Sequence, residues 1–468
     1  MATSEVIGRG TFPARAALAL TATALVLRGA LLFCGPWQDL GRALTPDSPH
    51  MVLLAHNLRA YHTYGKAEEL GLVHRAVAKL RDANGTAPAR DANGLAPEVF
   101  RPPGYPFYLA AVETAAHDLR WAILCQCVLG ASLTWMVISL AWALGLSRRG
   151  ALFAGLLWAV HPGLIVHDNL LLTESLFNIL SVGGLFVAAR CPGPAGWAGS
   201  GVLVGLAGLV RPLALLYEPL LLAVARKRGR LRWPTVLAQL LLVLLPSGAW
   251  AARNYAAGEG FRVSTVPEIN LLYYSAAYAI SQERGEDWEA SWPDRVEELS
   301  GRVGQRLAPG EDVPGAIRRL AVEELRARPA AYARVQAKSG VKLLVDHSLG
   351  SLYGELGQPY TPSGLFSRLI LREGTTGGAA DLGVTVLASA WLMLNVAVCA
   401  TAAFGAVRGC RRGECWLVLA CGLTLLLFLL ATASVGLERM RMPMMLPLFL
   451  LSGLAFQPRG GPTAGDKV

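Results

Sequence analysis

Residues 121–144 read WAILCQCVLGASLTWMVISLAWAL, and none of these residues is charged. A helix that crosses the hydrocarbon core of a bilayer needs about 20 predominantly apolar residues. The stretch is long enough to meet that requirement, and it is too apolar to form an ordinary surface helix. It therefore predicts a transmembrane helix.

Similar apolar runs recur along the chain, and the composition agrees with them. Of 468 residues, 53% are hydrophobic and 16% are charged, whereas soluble domains carry about 25% charged residues. We therefore predict an all-α polytopic membrane protein with about ten transmembrane helices. The first run is too long for a signal peptide, so we interpret it as a retained span. The runs lie near residues 16–35, 121–144, 151–168, 170–189, 197–210, 213–225, 234–251, 381–407, 415–434 and 442–457.

The net charge is +10, and many of the basic residues lie in the short loops between the apolar runs. Lys and Arg concentrate in cytoplasmic loops, so these loops mark the inner side of the membrane, and both termini are predicted to be inside. We expect membrane lipids, and no nucleic acid, among the partners. The basic residues in question are Arg9 and Arg15 before the first run, and Arg148, Arg149, Arg226, Lys227, Arg228, Arg230, Arg232, Arg408, Arg411 and Arg412 in the loops.

Two long segments, 36–120 and 254–380, then fall outside the cell. The first contains a tandem duplication, RDANGTAPA at 81–89 and RDANGLAPE at 90–98, which predicts a turn-rich loop. The second contains an amphipathic stretch, 317–345, which suits a helix on the outer membrane surface. We divide the chain into an N-terminal transmembrane catalytic module (1–253), an external or interfacial segment (254–380) and C-terminal transmembrane helices (381–468).

Two of the apolar runs, 197–210 and 213–225, are short and flank Arg211-Pro212. They predict a hairpin that turns within the membrane and places Arg211 in a polar cavity, because a charge at that depth usually has a function.

Polar residues also gather at the outer ends of the predicted spans. They are far apart in sequence, but they share one membrane level, so we expect them to face a common cavity. They are Asp47, Arg101, His167, Asp168, Glu174, Arg253, Asn254, Glu438, Arg439 and Arg441.

Six ordered fragments carry a resemblance to a known family. The chain resembles the C-type glycosyltransferase superfamily, in the branch of dolichyl-phosphate-mannose protein mannosyltransferases and lipid A aminoarabinose transferases. The fragments are PDSPHMVLLAHNL (46–58), FRPPGYPFYLA (100–110), DNLLLTESLFNIL (168–180), GLAGLVRPLALL (205–216), WAARNY (250–255) and ERMRMPMMLPL (438–448).

The resemblance implies an outward catalytic Asp in the first external loop, a polyprenyl-phosphate sugar donor and inversion at the sugar carbon. Asp47 occupies that position. Some relatives have a second acid where this chain has Ser48, and an aromatic residue where it has Met51. These departures leave the use of a metal and the type of acceptor open.

The chemistry agrees with this assignment, because glycosyl transfer to a hydroxyl needs a general base. Arginine suits the leaving phosphate through its bidentate guanidinium. Asp47 as base, with Arg101, Arg211 or Arg253 near the phosphate, is the simplest arrangement. The alternative for Asp47 is a cap on the helix that follows it. The other residues that we expect to contact substrate are Tyr105, Asp168, Glu174, Asn254 and Arg439.

Glu174 lies just inside an apolar run and has three interpretations. It positions the acceptor, it binds a divalent metal together with His50, His56 and His167, or it forms a capping box with Thr173 or Asn169. No metal-type spacing supports the second interpretation. We interpret His161 as a hydrogen-bonded packing residue and the eight cysteines as apolar filler.

Other functions remain open at this point. A transporter or lipid flippase would also place charges within the membrane, although such proteins often show two related halves and this chain shows none. An inactive scaffold of the same fold is a further alternative. The sugar is not identified, and the acceptor is a lipid, a glycan or a protein.

Overall fold

The computed structural model describes residues 11–67, 69, 71–191, 193–229, 233–358, 382–432 and 438–458. Arg9, Arg230, Arg232 and the end of the second long segment, 359–381, lie outside the described residues, as does the side chain of Glu438.

The fold is built almost entirely from helices, as predicted. Up to residue 256 these are Ala14–Cys34 (α1), Ser48–Tyr61 (α2), Leu72–Ala83 (α3), Gly104–Ala116 (α4), Arg120–Ala143 (α5), Arg148–Val160 (α6), Pro162–Asp168 (α7), Thr173–Arg190 (α8), Gly193–Val210 (α9), Glu218–Lys227 (α10) and Trp233–Ala256 (α11).

The second half continues the helical pattern. Its helices are Val266–Asn270 (α12), Ala277–Arg284 (α13), Trp288–Arg306 (α14), Val313–Ala327 (α15), Pro329–Val345 (α16), Leu349–Glu355 (α17), Leu382–Cys410 (α18), Cys415–Thr432 (α19) and Met445–Leu454 (α20). Shorter helical segments are Leu40–Ala43, Pro212–Tyr217 and Glu438–Met444, which are 3-10 helices, and Leu271–Ala276, which is a π-helix.

The ten membrane spans expected from the sequence are not confirmed. Among the described residues, six helices are long and apolar enough to cross a membrane: α1, α5, α9, α11, α18 and α19. The pair α6 and α7 is bent by 50° and adds a seventh span if it crosses as one unit. Proline interrupts several of the other apolar runs, because it removes a backbone donor and breaks the helix. Pro162, Pro212 and Pro443 lie at or next to such interruptions.

The hairpin around Arg211 differs from the prediction in its first arm. That arm, α9, has 18 residues and qualifies as a span, packed against α8 and α11. The second arm is broken into the 3-10 turn Pro212–Tyr217 and the ten-residue α10. Arg211 lies at the break and has an extended backbone conformation, so the regular helix of α9 ends before it.

A second, smaller core lies in the two long loop segments. Helices α3 and α12 to α15, together with the π-helix Leu271–Ala276, share it, and we call this part the loop unit. The amphipathic stretch at 317–345 was predicted as one helix on the membrane surface. It is instead two helices, because Arg328-Pro329 ends α15 and starts α16. The apolar face of α15, with Ile317 and Leu320, packs into the loop unit rather than against lipid.

The duplicated nonapeptide adopts two different structures. The first copy completes α3, where Arg81 forms a bidentate ion pair with Glu259 and Asn84 donates to the Glu311 carbonyl. The second copy forms a turn organised by Asp91 and leads into the strand Ala96–Pro97. That strand pairs antiparallel with Gly65–Lys66.

The predicted orientation can be tested by cysteine labelling after the eight native cysteines have been replaced. We expect Ala89→Cys and Ala290→Cys, which are exposed in the first and the second long segment, to react with an impermeant maleimide in intact cells. Arg149→Cys, exposed in a basic loop, should react only after lysis. The reverse pattern would invert the topology.

Candidate active site

Asp47 lies at the start of α2, where the sequence left a choice between a helix cap and a chemical role. Its side chain caps no backbone N–H of α2. The carboxylate instead contacts two arginines, with Arg101 Nη2 at 2.5 Å from Oδ1 and Arg439 Nη2 against Oδ2. The geometry therefore does not support the capping interpretation.

The two arginines govern the electrostatics of Asp47. Burial raises the pKa of the carboxyl, but the charges of Arg101 and Arg439 and their hydrogen bonds outweigh it, and the pKa of Asp47 lies well below its ordinary value. The carboxylate is therefore ionised at any physiological pH.

Asp47 lies where two cavities meet, and Asp47, Leu172 and Arg439 line both of them. The first cavity has a volume of about 410 Å³, and much of its wall is apolar. The apolar residues include Met51, Val210, Leu213, Leu271 and Leu430. The second cavity, of about 620 Å³, has an aromatic and polar wall that includes Tyr274, Trp288, Glu289 and Trp292. Both volumes lie in the range of about 300–1,000 Å³ that is typical of ligand pockets.

Arg211 brings a third guanidinium to the first cavity. It lines the wall beside Arg101 and Arg439, and its Nη1 lies 2.8 Å from Glu174 Oε1. Glu174 is 1% exposed, so it neutralises Arg211 from behind the wall rather than facing the cavity. Arg211 was expected in a polar cavity; it lines a cavity, but the wall of this cavity is largely apolar, and Glu174 is the ionic partner of Arg211.

Glu98 organises the backbone behind Arg101. It is fully buried, and its Oε1 accepts the N–H groups of Phe100 and Arg101, the latter at 3.0 Å. Its Oε2 lies 3.0 Å from both His50 Nε2 and Lys66 Nζ. Burial raises the pKa of Glu98, but Lys66 and His50 outweigh it, so the pKa lies well below its ordinary range. Glu98 thus holds the segment that presents Arg101.

Arg253 and Asn254 were expected to contact substrate, but neither lines a cavity at Asp47. Arg253 donates to the carbonyls of Tyr64, at 3.2 Å, and Glu98, at 3.4 Å. Tyr64 in turn donates to the carbonyl of Arg101. Asn254 donates to the Arg262 carbonyl at 2.8 Å. These residues brace the Arg101 segment from behind.

Asp168 and Tyr105 are also turned away from both cavities. Asp168 pairs with the fully buried Arg28, whose Nε lies 2.7 Å away, and accepts the Ser175 hydroxyl. Tyr105 donates to Gln126 Oε1 at 2.7 Å. A buried carboxylate and guanidinium that satisfy each other join α1 to α7, so their role is packing. Arg28 was missed, although an arginine within the first apolar run was the signal for it.

The histidines do not assemble around Glu174. His50 contacts Glu98, and His167 Nδ1 lies 2.7 Å from the Gly163 carbonyl. His56 is exposed, and His161 contacts Asn395 at 3.0 Å, as expected of a packing residue. In the part of the chain that the structure describes, no three His, Cys, Asp or Glu side chains come together as a metal site. The predicted metal grouping is therefore wrong.

No protein-family model matches the chain, and no curated protein matches it. Among solved structures, the chain is similar to the oligosaccharyltransferase AglB from the archaeon Archaeoglobus fulgidus, which was solved with an inhibitory peptide and a dolichol-phosphate. The identity is 12% and the TM-score is 0.41, over 95% of this chain and 50% of that one. The chain thus spans about half the length of that structure.

We predict that Glu98→Gln loosens the segment that carries Arg101. Removing one charge from a buried ion pair costs about 3–5 kcal/mol, because the remaining ammonium of Lys66 stays buried with less compensation. Hydrogen exchange at the Phe100 and Arg101 amides should therefore accelerate at least about tenfold.

The matched control for this experiment is Glu69→Gln. Glu69 also contacts Lys66, at 2.7 Å, but its side chain is 31% exposed, so its loss should change exchange little. Unchanged protection in Glu98→Gln would show that Glu98 does not position this segment.

Proposed function

We propose that this protein transfers a sugar from a polyprenyl-phosphate donor to an acceptor hydroxyl, with inversion, and that Asp47 is the general base. One observation carries the proposal: a carboxylate held between Arg101 and Arg439 lies where an apolar cavity meets a polar, aromatic one. A transferase needs two substrates to meet at one base, and this arrangement provides a compartment for each.

The first cavity suits the donor. Its apolar wall is compatible with the isoprenoid chain, and Arg101, Arg211 and Arg439 line the same space. Guanidinium groups bind phosphate through paired, charge-assisted hydrogen bonds. The donor therefore enters with its lipid along the apolar wall and its phosphate at the arginines.

The second cavity would hold the acceptor, with its hydroxyl facing Asp47. In the transfer step, the acceptor oxygen attacks the anomeric carbon while its proton passes to the Asp47 carboxylate. The bond between that carbon and the phosphate oxygen breaks, and the electron pair leaves with the polyprenyl phosphate. The arginines stabilise the charge that develops there. A single displacement of this kind inverts the anomeric configuration.

Before the donor binds, the same arginines lower the basicity of Asp47, and we call this effect the restraint on Asp47. In this structure they hold the pKa of Asp47 low, which makes the carboxylate a weak base. A donor phosphate competes with Asp47 for Arg101 and Arg439, because both anions need the same guanidinium groups. Binding of the donor would thus release Asp47 and raise its basicity at the moment when a base is needed.

The site would lie at the outer face of the cell membrane, since the loop unit and Asp47 belong to the two long segments that the charge pattern places outside. Polyprenyl-phosphate sugars would be the donor on that side, and the acceptor would belong to the cell envelope.

We expect Asp47→Asn to reduce sugar transfer by about a hundredfold to ten-thousandfold, the usual contribution of a general base. Asparagine keeps the size of the side chain but removes the basic oxygen. The measurement is release of polyprenyl phosphate from a panel of hexosyl and pentosyl polyprenyl phosphates in nanodiscs, supplied with cell-envelope extract as acceptor. Arg101→Ala should instead raise the Michaelis constant for the donor.

Asp294→Asn serves as the matched control, because Asp294 is exposed in the loop unit and lines neither cavity. Its turnover should equal that of the wild type. Near-wild-type turnover of Asp47→Asn would exclude this residue as the base.

A pH profile tests the restraint on Asp47 directly. Arg439→Gln removes one of the cations that lower the pKa of Asp47, so this pKa should rise toward the ordinary value of about 4. The base must be ionised to accept a proton. As the pH falls to about 3.5, below this raised pKa, kcat/KM for the donor should therefore decline in Arg439→Gln and stay level in the wild type.

The comparison uses the ratio of kcat/KM at about pH 3.5 to that at about pH 6.5, which cancels the weaker donor binding of the variant. Arg284→Gln is the control, since Arg284 is a half-exposed surface residue paired with Glu298. Equal ratios in Arg439→Gln and wild type would contradict the proposed restraint.

A further inference from the structure

We propose that the acceptor is a carbohydrate whose ring stacks on an aromatic platform formed by Tyr274, Trp288 and Trp292 in the second cavity. This inference rests on the proposed function and names the class of the second substrate. The three residues belong to the loop unit and line the same cavity as Asp47 and Arg439.

The rings of the platform are fixed in place. The centroids of Tyr274 and Trp292 lie 5.6 Å apart, and Trp292 Nε1 donates to the Tyr273 carbonyl at 2.8 Å. Trp288 stacks on Tyr278 at 4.7 Å, with 22° between the ring planes. Each ring is half-buried, so packing holds one side while the other side remains accessible. Rigid aromatic faces of this kind provide a large contact area at a low cost in conformational entropy.

A sugar ring fits such a surface for a chemical reason. One face of a pyranose carries axial C–H groups and is apolar, while the hydroxyls project around the rim. The C–H face packs on the negative face of an aromatic ring, and the rim hydroxyls need hydrogen-bond partners. The cavity offers Arg42, Thr45, Glu289 and Ser351 for them. Flat rings with polar groups beside them match both requirements.

A peptide acceptor fits the same cavity less well. Extended peptides are commonly recognised through their backbone, by an open strand edge. The two short strands in the described part of the chain, Gly65–Lys66 and Ala96–Pro97, pair with each other, and none of their residues lines the second cavity. The walls of that cavity offer side chains, which suits a ligand recognised by its ring faces and hydroxyls.

The aromatic platform also has a fixed position relative to Asp47. The π-helix Leu271–Ala276 contributes Tyr274 to the second cavity and Leu271 and Ser275 to the first. One short backbone segment therefore fixes the acceptor wall relative to the donor wall. Burial and the nearby Asp47 carboxylate raise the pKa of Tyr274, which agrees with a ring placed beside the base. A sugar stacked there would present a rim hydroxyl to Asp47.

The test is saturation-transfer-difference NMR on the full chain in nanodiscs, without donor. The probes are maltotriose, chitotriose and a Ser/Thr-containing octapeptide. We expect saturation of the C–H protons of at least one saccharide, concentrated on one ring face, and none of the peptide. Trp288→Leu should weaken saccharide binding about tenfold, whereas Trp288→Phe, which keeps a flat ring, should weaken it less.

Trp233→Leu is the matched control, because Trp233 is 75% exposed and lines neither cavity, and its binding should equal that of the wild type. Binding of the peptide alone, binding of none of the probes by the wild type, or equal binding by wild type and Trp288→Leu would overturn the proposal. The experiment involves no turnover, so its result is separate from the transferase proposal, which fails if the wild type releases no polyprenyl phosphate.

Discussion

The contact of Asp47 with Arg101 and Arg439 is the constraint on which the rest of the site depends. It joins the first long loop to the segment before the last helix, 392 residues further along the chain. Both guanidinium groups also line the largely apolar first cavity, so an anion that enters this cavity meets donors of charge-assisted hydrogen bonds.

The first long segment and the end of α11 act on this site through hydrogen bonds to the backbone of Arg101 and its neighbours. Glu98 and Tyr64 hold the amide and the carbonyl of Arg101, and Arg253 holds the carbonyls of Glu98 and Tyr64. These groups lie behind the cavity walls, so their effect is to fix the backbone from which the Arg101 side chain extends. Supporting residues of this kind keep reacting groups within about 0.5 Å of their productive positions. The Arg101–Asp47 contact is consequently set by residues that touch neither cavity.

The sequence predicted the helical membrane architecture. It also predicted Asp47, Arg101 and Arg439 at one membrane level and Arg211 in a cavity, and in the structure all four line the first cavity. It could not show that Asp168 and Arg253 face away from this cavity, because a shared membrane level fixes only the depth of a residue in the membrane. Which side of a helix bundle a residue faces depends on packing between distant segments. Asp168 is removed from the cavity by Arg28, a partner 140 residues away. The expected ten spans are not confirmed, since proline breaks several of the apolar runs into shorter helices.

The duplicated nonapeptide shows why local sequence could not predict the supporting shell. RDAN begins both copies, yet it ends a helix in one and forms a turn in the other. The copies differ at two positions, where the first has Thr86 and Ala89 and the second has Leu95 and Glu98. Glu98 is buried against Lys66 and His50, which hold it through long-range contacts that the repeat itself does not encode. One of the two residues that depart from the repeat is thus the residue that connects this loop to Arg101.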